Sequence, residues 1–393
     1  MNEKNRWMRL IMAMIALLLA GIIYAWSFFK APLAELFADA SAAQLQLNYT
    51  LTLGFFCLGG LVSGLLAKKL SIRSRMLVGA ALVLIGFVIV SRLTGKSLIM
   101  LYLGYGIMAG TGIGFVYNTV ISTTNAWFPD RKGLASGVMM LGFGFSAMVL
   151  GNLAAALFGP MGWRNVFLMY AIIIGVALAA IGCTLRMPKA GEVPAVAAAA
   201  AAKDGVDYDT KAMVARPSFW MLFVAITLVC ITGSVAIGQS RDIILSLNAE
   251  ATAMAAMGAS LISVMNGVGR MVWGALFDKL GMRRTQFILC VVSVAAPLVI
   301  LAGIKAASPV LCLAGLCLTG VSYAYAPTAS STFTLAFYGR KHFSMNFPVL
   351  NLTLLAASFV PTLVSGMTPT ATYILLTAMA AVGAVLNIML KKA

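Results

Sequence analysis

Apolar runs long enough to cross a bilayer recur from one end of this chain to the other. Nothing else in the sequence constrains the fold as much. A spanning helix needs about 20 mostly apolar residues. Runs of this kind fall near 8–29, 46–67, 76–93, 98–125, 134–158 and 165–186, and again near 217–239, 253–277, 286–304, 309–337, 343–366 and 370–390. Composition agrees: 61% of the 393 residues are hydrophobic and 10% are charged, where a soluble chain carries about 25% charge. The expected fold is an all-α membrane protein of twelve transmembrane helices. The first run is too long for a signal-peptide core and no small-residue cleavage pattern follows it, so it is read as a span.

A net charge of +17 raises the question of nucleic acid. The distribution answers it. Lysine and arginine concentrate in alternate loops: Lys4, Arg6 and Arg9; Lys68, Lys69, Arg73 and Arg75; Arg131 and Lys132; Arg186 to Arg216; Lys279, Arg283 and Arg284; Arg340 and Lys341; Lys391 and Lys392. Positive charge marks the cytoplasmic side. Both termini and the central loop are therefore expected in the cytoplasm of a cell expressing the chain in its plasma (inner) membrane. The basicity sets orientation in the bilayer and does not mark a nucleic-acid surface.

Residues 187–216 hold Pro188, Pro194, an alanine run from Ala197 to Ala202, and Asp204, Asp207 and Asp209. This stretch is too weakly apolar to span and reads as a cytoplasmic linker. It separates an amino-terminal bundle, 1–186, from a carboxy-terminal bundle, 217–393. The halves repeat with one offset, 210 residues. Gly59 matches Gly269, Gly64 matches Gly274, Gly110 matches Gly320, and Trp127-Phe128 matches Phe337-Tyr338. The expectation is two pseudo-symmetric six-helix bundles in parallel orientation, one of the known transporter plans.

Within the eighth run, Ser263, Asn266 and Arg270 are spaced by three and four and share a helix face. Asp278, the next charge after Arg270, is about 12 Å further along a helix. Arg270 therefore lies well inside the hydrocarbon layer, where an arginine faces a wet cavity or a partner. It cannot shed its proton and needs an anion. The acids offer none nearby: all eleven, among them Glu35, Asp39, Asp130, Asp242 and Asp278, fall in loops or at span ends. A small organic anion is the expected partner. Polar stripes in the fourth run (Thr111, Asn118, Ser122, Asn125) and the tenth (Ser322, Tyr325, Thr328, Thr332) are expected to face the protein interior. The cysteines Cys57, Cys183, Cys230, Cys290, Cys312 and Cys317 form no CxxC pair and read as packing residues. His342 sits in a basic loop and reads as solvated. No HExxH, GxSxG or GxxxxGK[ST] pattern occurs, so neither an enzyme nor an ATP-driven pump is expected, nor any metal or cofactor.

Two motifs carry a resemblance. Gly274-Ala-Leu-Phe-Asp278-Lys279-Leu-Gly281-Met-Arg283-Arg284 resembles the loop motif of the major facilitator superfamily; the first-half copy, Gly64-Leu-Leu-Ala-Lys68, has lysine where the acid belongs. Gly110-Thr-Gly112-Ile-Gly114-Phe-Val-Tyr117-Asn118, followed by Trp127-Phe128-Pro129-Asp130-Arg131-Lys132-Gly133, together with Tyr24-Ala-Trp26 in the first run, resembles the oxalate:formate antiporter and monocarboxylate transporter branch. The resemblance implies a secondary carrier working by alternating access as a functional monomer. It implies Arg270, Tyr24, Tyr117, Asn118, Asn266 and Tyr325 as substrate-binding residues. It implies a cytoplasmic gate of Asp278, Arg283, Arg284, Asp130 and Arg131. The branch's oxalate carriers have a lysine in the eleventh run, where Phe343 to Thr370 holds no charge. One cation matches one carboxylate, which favours a monocarboxylate over oxalate. Proton-coupled members carry an acid one turn before the arginine; here that place is Asn266. Coupling by proton symport or by anion exchange both stay open, with an anion sensor as the alternative of another class.

In a cysteine-free background, Ala200→Cys is expected to resist a membrane-impermeant maleimide in intact cells and to react after permeabilisation. Labelling in intact cells would overturn the topology.

Overall fold

The computed structural model describes residues 3–95, 97–189, 192–193, 207–364 and 367–390. Half of the expected linker, Lys96, and the terminal Lys391 and Lys392 lie outside the described residues. The described residues fold into helices joined by short connections, with no strand among them.

Twelve transmembrane helices form. α1 is Glu3–Ala20, continued by a tighter turn at Gly21–Ala25 and a further helix Trp26–Leu36. α2 is Ala42–Leu65, opened by Ser41, whose hydroxyl accepts from the Gln44 N–H while the Gln44 side chain accepts from the Ser41 N–H. α3 is Ile72–Ser91. α4 runs from Ile99–Leu101 through a π-helical stretch, Tyr102–Ala109, into Gly110–Asn125. α5 starts as Lys132–Ser146 and passes through a π-helical turn, Ala147–Gly151, into Asn152–Met161. α6 is Trp163–Thr184 and α7 is Pro217–Leu247. α8 and α9 are continuous helical chain from Thr252–Lys305, broken at Gly281 (φ 74°). α10 is Pro309–Tyr338, α11 is Phe343–Ser358 continued by Val360–Leu363, and α12 is Pro369–Met389.

The junction of α8 and α9 differs from expectation. The charges Asp278, Lys279, Arg283 and Arg284 read as a loop of several residues. They are helical instead, and the chain turns at Gly281 alone. Lysine and arginine are good helix formers, and a single glycine adopts the positive φ that other residues resist.

By contact the chain falls into two compact units. The first comprises Met1–Asp130, Gly142–Gly205 and Phe343–Val349; the second comprises Arg131–Leu141, Val206–His342 and Leu350–Ala393. In the first unit, α2 and α4 meet through glycines. A Cβ on Gly59 would lie 2.3 Å from the Thr111 carbonyl oxygen, and one on Gly110 would lie 2.7 Å from that of Thr52. In the second unit, α8 and α10 meet at the matching residues. A Cβ on Gly269 would lie 3.2 Å from the Val321 Cα, and one on Gly320 would lie 2.5 Å from the Ile262 carbonyl oxygen. Thr111 and Val321, and Thr52 and Ile262, are each 210 residues apart. The repeat legible in the glycines is thus a repeat of helix contacts. Small residues let backbones approach where lipid supplies no hydrophobic drive.

At its amino-terminal end the first unit is tied by cations on aromatic rings. Arg6 lies 4.2 Å over Phe128 and pairs with Asp130; Arg9 lies 4.4 Å over Trp127. Beyond α6, Arg186 holds Glu192 through two bonds of 2.6 Å. That pairing, with a further bond from the Lys189 N–H, brings the Glu192 carboxyl down to about 2, so the contact survives until the pH falls into that range.

Gly59→Ala is expected to destabilise the purified protein by about 1–3 kcal/mol through overpacking. Gly60→Ala, one residue on, meets nothing nearer than 3.8 Å and should be neutral or stabilising by up to ~1 kcal/mol through lower backbone entropy. Thermal unfolding of the two variants in detergent checks the contrast.

Candidate functional site

Arg270 is the largest fully buried side chain in the chain, with no exposed surface. α8 carries it there because Gly267 and Gly269 flank it and every residue from Leu261 to Trp273 is uncharged except Arg270 itself. Its Nε donates to the Asn266 Oδ1 at 3.2 Å, one turn back, and its Nη1 donates to the Met140 carbonyl at 3.3 Å. Its backbone carbonyl accepts from the Thr328 hydroxyl of α10. The spacing of Asn266 and Arg270 is thus a contact. These partners are neutral and leave the guanidinium fully charged. Among the described residues Asp278, beside the Gly281 break, is the sole Asp or Glu inside the candidate spans, while Asp242 lies in α7 and Glu35 in the helix Trp26–Leu36, each beyond the span itself.

Around Arg270 the second unit sets aromatic rings. The Trp273 indole donates to the Val321 carbonyl at 2.7 Å and meets the Tyr325 ring edge-on at 5.5 Å. The buried Tyr325 hydroxyl has no hydrogen-bond partner. Thr328, Ser330, Thr332 and Thr334 bond back to carbonyls one turn earlier, so the α10 stripe is largely self-satisfied. Polar residues in a helix interior commonly do this.

The first unit holds Tyr24, Tyr117 and Asn118. Tyr24 and Tyr117 both contact Phe143, at 5.3 and 4.9 Å between ring centroids, and Tyr117 also stacks on Phe347 at 5.8 Å. Asn118 donates both amide N–H groups, to the carbonyls of Gly60 and Ser344, each at 3.0 Å. An anion needs donors, and those of Asn118 are committed. Its place matches Thr328 at the 210-residue offset, as Gly60 matches Arg270, and both pairs make the same side-chain-to-carbonyl bond. Asn118 here is a tie between helices.

The expected gate residues divide. Asp278 accepts from the Gly133 and Leu134 N–H groups at 3.1 and 2.8 Å, so it caps the first turn of α5 rather than a turn of its own helix. A carboxylate at a helix amino terminus meets both unpaired N–H groups and the positive end of the dipole. Asp130 pairs with Arg6. Arg283 and Arg284 are exposed and form no ion pair among the described residues. Arg131 is exposed and belongs to the second unit. The sequence reading missed the Met140 carbonyl and Thr328 as partners of Arg270; backbone acceptors leave no mark in residue type.

The model of the Major Facilitator Superfamily matches residues 10–360. The chain belongs to that superfamily. It is a transporter, not an enzyme, and a multi-pass membrane protein. Within the superfamily it is 28% identical over 344 residues to the oxalate:formate antiporter of Oxalobacter formigenes, covering 86% of this chain and 80% of that protein. It is 27% identical to the MFS-type transporter YhjX of Escherichia coli (strain K12), over 74% of this chain and 71% of the relative. Monocarboxylate transporter 6 of Mus musculus is 31% identical over 136 residues, 35% of this chain and 28% of its own length. The fold matches the proton:xylose symporter XylE with a TM-score of 0.75, over 98% of this chain and 95% of that one, at 14% identity.

Asp278→Ala removes the acceptor from two N–H groups at the start of α5. The expected cost is about 0.5–2 kcal/mol, as for loss of a helix cap, read as a lower melting temperature of the purified protein; Asp278→Asn, which keeps one acceptor, should lose less.

Proposed function

We propose that this transporter carries a small monocarboxylate anion of the lactate, pyruvate or formate kind, with Arg270 pairing the substrate carboxylate. The observation behind this is a guanidinium with no exposed surface, held at its Nε by Asn266 and at its Nη1 by the Met140 carbonyl. A planar guanidinium meets a carboxylate through two parallel N–H bonds, which fixes orientation as well as charge. Asn266 steadies the Nε edge. Tyr325, of the same unit, is a further binding residue, and Asp278 with Arg131, Arg283 and Arg284 forms the cytoplasmic gate. The linker 187–216 joins the bundles 1–186 and 217–393, with both termini in the cytoplasm and the monomer as the working unit in the plasma membrane.

The similarity to an oxalate:formate antiporter favours a second reading, exchange of a dicarboxylate for a monocarboxylate. Against it stands α11, where the polar residues, Asn346, Asn351, Thr353 and Ser358 among them, are all uncharged. Two substrate charges against one cation leave a net charge in a poor dielectric. Exchange of one monoanion for another avoids this, because each substrate brings one charge to one guanidinium.

Arg270→Gln is expected to lower transport of a labelled monocarboxylate in proteoliposomes at least a hundredfold, about 3 kcal/mol, with normal insertion. Arg270→Lys should rescue poorly, because an ammonium lacks the fork. Wild-type rates in Arg270→Gln would overturn the binding role.

A further inference from the structure

Four cations crowd the turn from α2 into α3. α2 runs on into a tighter turn, Leu66–Lys68, and α3 opens at Ser71, whose hydroxyl accepts from the Ser74 N–H. Lys68, Lys69 and Arg73 are exposed there. Arg75, one turn into α3, is only 5% exposed. Its Nη1 donates to the Ser63 carbonyl of α2 at 3.5 Å, and its Nε has no hydrogen-bond partner. That bond folds the guanidinium back into the crook between the two helices, beside the turn. A buried donor left unmet calls for a water or an ion. The sequence holds no Asp or Glu between Asp39 and Asp130. None of the four cations forms an ion pair among the described residues. All of them lie in the first unit.

The repeat shows what is unusual about this turn. Lys68 stands where the second copy has Asp278, and Asp278 meets the N–H groups of Gly133 and Leu134. An ammonium has no acceptor to offer such groups. The first copy therefore presents positive charge at its turn with no negative charge to answer it. The surroundings select the anion. Val62 and Leu65 on α2, and Leu77 and Val78 on α3, are exposed apolar side chains. They lie about 5–9 Å along their helices from Lys68 or Arg73. A soluble anion would use the cations alone. A phospholipid uses both, its phosphate on the cations and its acyl chains on the apolar faces. Basic clusters of this size beside a spanning helix attract anionic lipid. We propose that the α2–α3 turn holds the phosphate of one anionic phospholipid, with Arg75 and Arg73 as the forked donors and Lys68 and Lys69 beside them. The charge pattern assigns it to the cytoplasmic leaflet. The site is independent of the substrate at Arg270.

The test is titration of the purified full-length protein, in a neutral detergent, with phosphatidylglycerol, phosphatidylcholine or inorganic phosphate. The readout is the melting temperature, which a ligand of the folded state raises by mass action. Phosphatidylglycerol is expected to act at a roughly thirtyfold lower concentration than phosphatidylcholine, each cation at the surface being worth about fivefold. Inorganic phosphate at the same concentrations should do nothing. Combining Lys68→Gln, Lys69→Gln and Arg73→Gln alters only exposed side chains, so the variant should fold, and the preference should drop below about threefold. Lys211→Gln, Lys279→Gln and Lys341→Gln together remove as many exposed charges from the second unit. That control should keep the preference within about twofold, because a site depends on position rather than on net charge. Arg75→Gln is expected to cut the preference about fivefold by itself; if it does not fold, the triple variant decides. A full preference retained in the triple variant or in folded Arg75→Gln overturns the proposal. An equal loss in the control means a general attraction to net charge and overturns it too. So does a wild-type protein that responds alike to both lipids, or to inorganic phosphate as strongly as to phosphatidylglycerol.

Discussion

A guanidinium cannot give up its proton, and in this protein it sits where water does not reach it. That one fact organises α8 and its neighbours. Arg270 is held at its Nε by Asn266 and at its Nη1 by a backbone carbonyl of α5. Both partners are neutral dipoles. They fix the position of the group at two of its nitrogens. The cost of keeping such a charge buried, contested between about 2.5 and more than 10 kcal/mol, is the strongest physical reason to look for a negatively charged substrate.

Arg270 is placed by a contact that the fold makes twice. α2 meets α4 at Gly59 and Gly110, and α8 meets α10 at Gly269 and Gly320, with partners that correspond residue for residue. The carbonyl of residue 60 accepts from Asn118, and the carbonyl of residue 270 accepts from Thr328. The two copies diverge at one decisive point. Where the second has arginine, the first has Gly60, so only one side of the duplicated scaffold carries the charge.

Much of this was legible in the sequence. Apolar length gave the spans, because hydrocarbon tolerates so few alternatives. The glycine offset gave the repeat, because close helix contact admits few residue types. The i to i+4 spacing gave the Asn266–Arg270 contact. Other features were not legible. Asn118 reads as a binding residue by type and place, yet whether an amide meets a ligand or a carbonyl depends on which backbone lies opposite. The turn at Gly281 hides inside a charged run that looks like a loop.

The acids at the helix ends show how a duplicated carrier loses its symmetry without losing its ties. At the loop motif, the second copy keeps Asp278 on the first N–H groups of α5. The first copy has Lys68 there, and the start of α11 is held instead by Asn118 on the Ser344 carbonyl and by the close approach of Gly64 to the same oxygen. At the end of the fourth helix of each half the imbalance reverses. The first copy keeps Asp130, paired with Arg6. The second has Arg340 in that place, opposite in charge, while Arg216 still occupies the position of Arg6. There the carboxylate arrives from the end of the linker: Asp207 accepts from the N–H groups of Arg340 and Lys341 at 2.7 and 3.0 Å, and Arg216 lies 3.9 Å over the Tyr208 ring. Each half has lost one acid and recovered its tie from a different segment. A carboxylate on the N–H groups that open α5 and a carboxylate on the N–H groups that follow α10 are the same chemistry supplied from different segments.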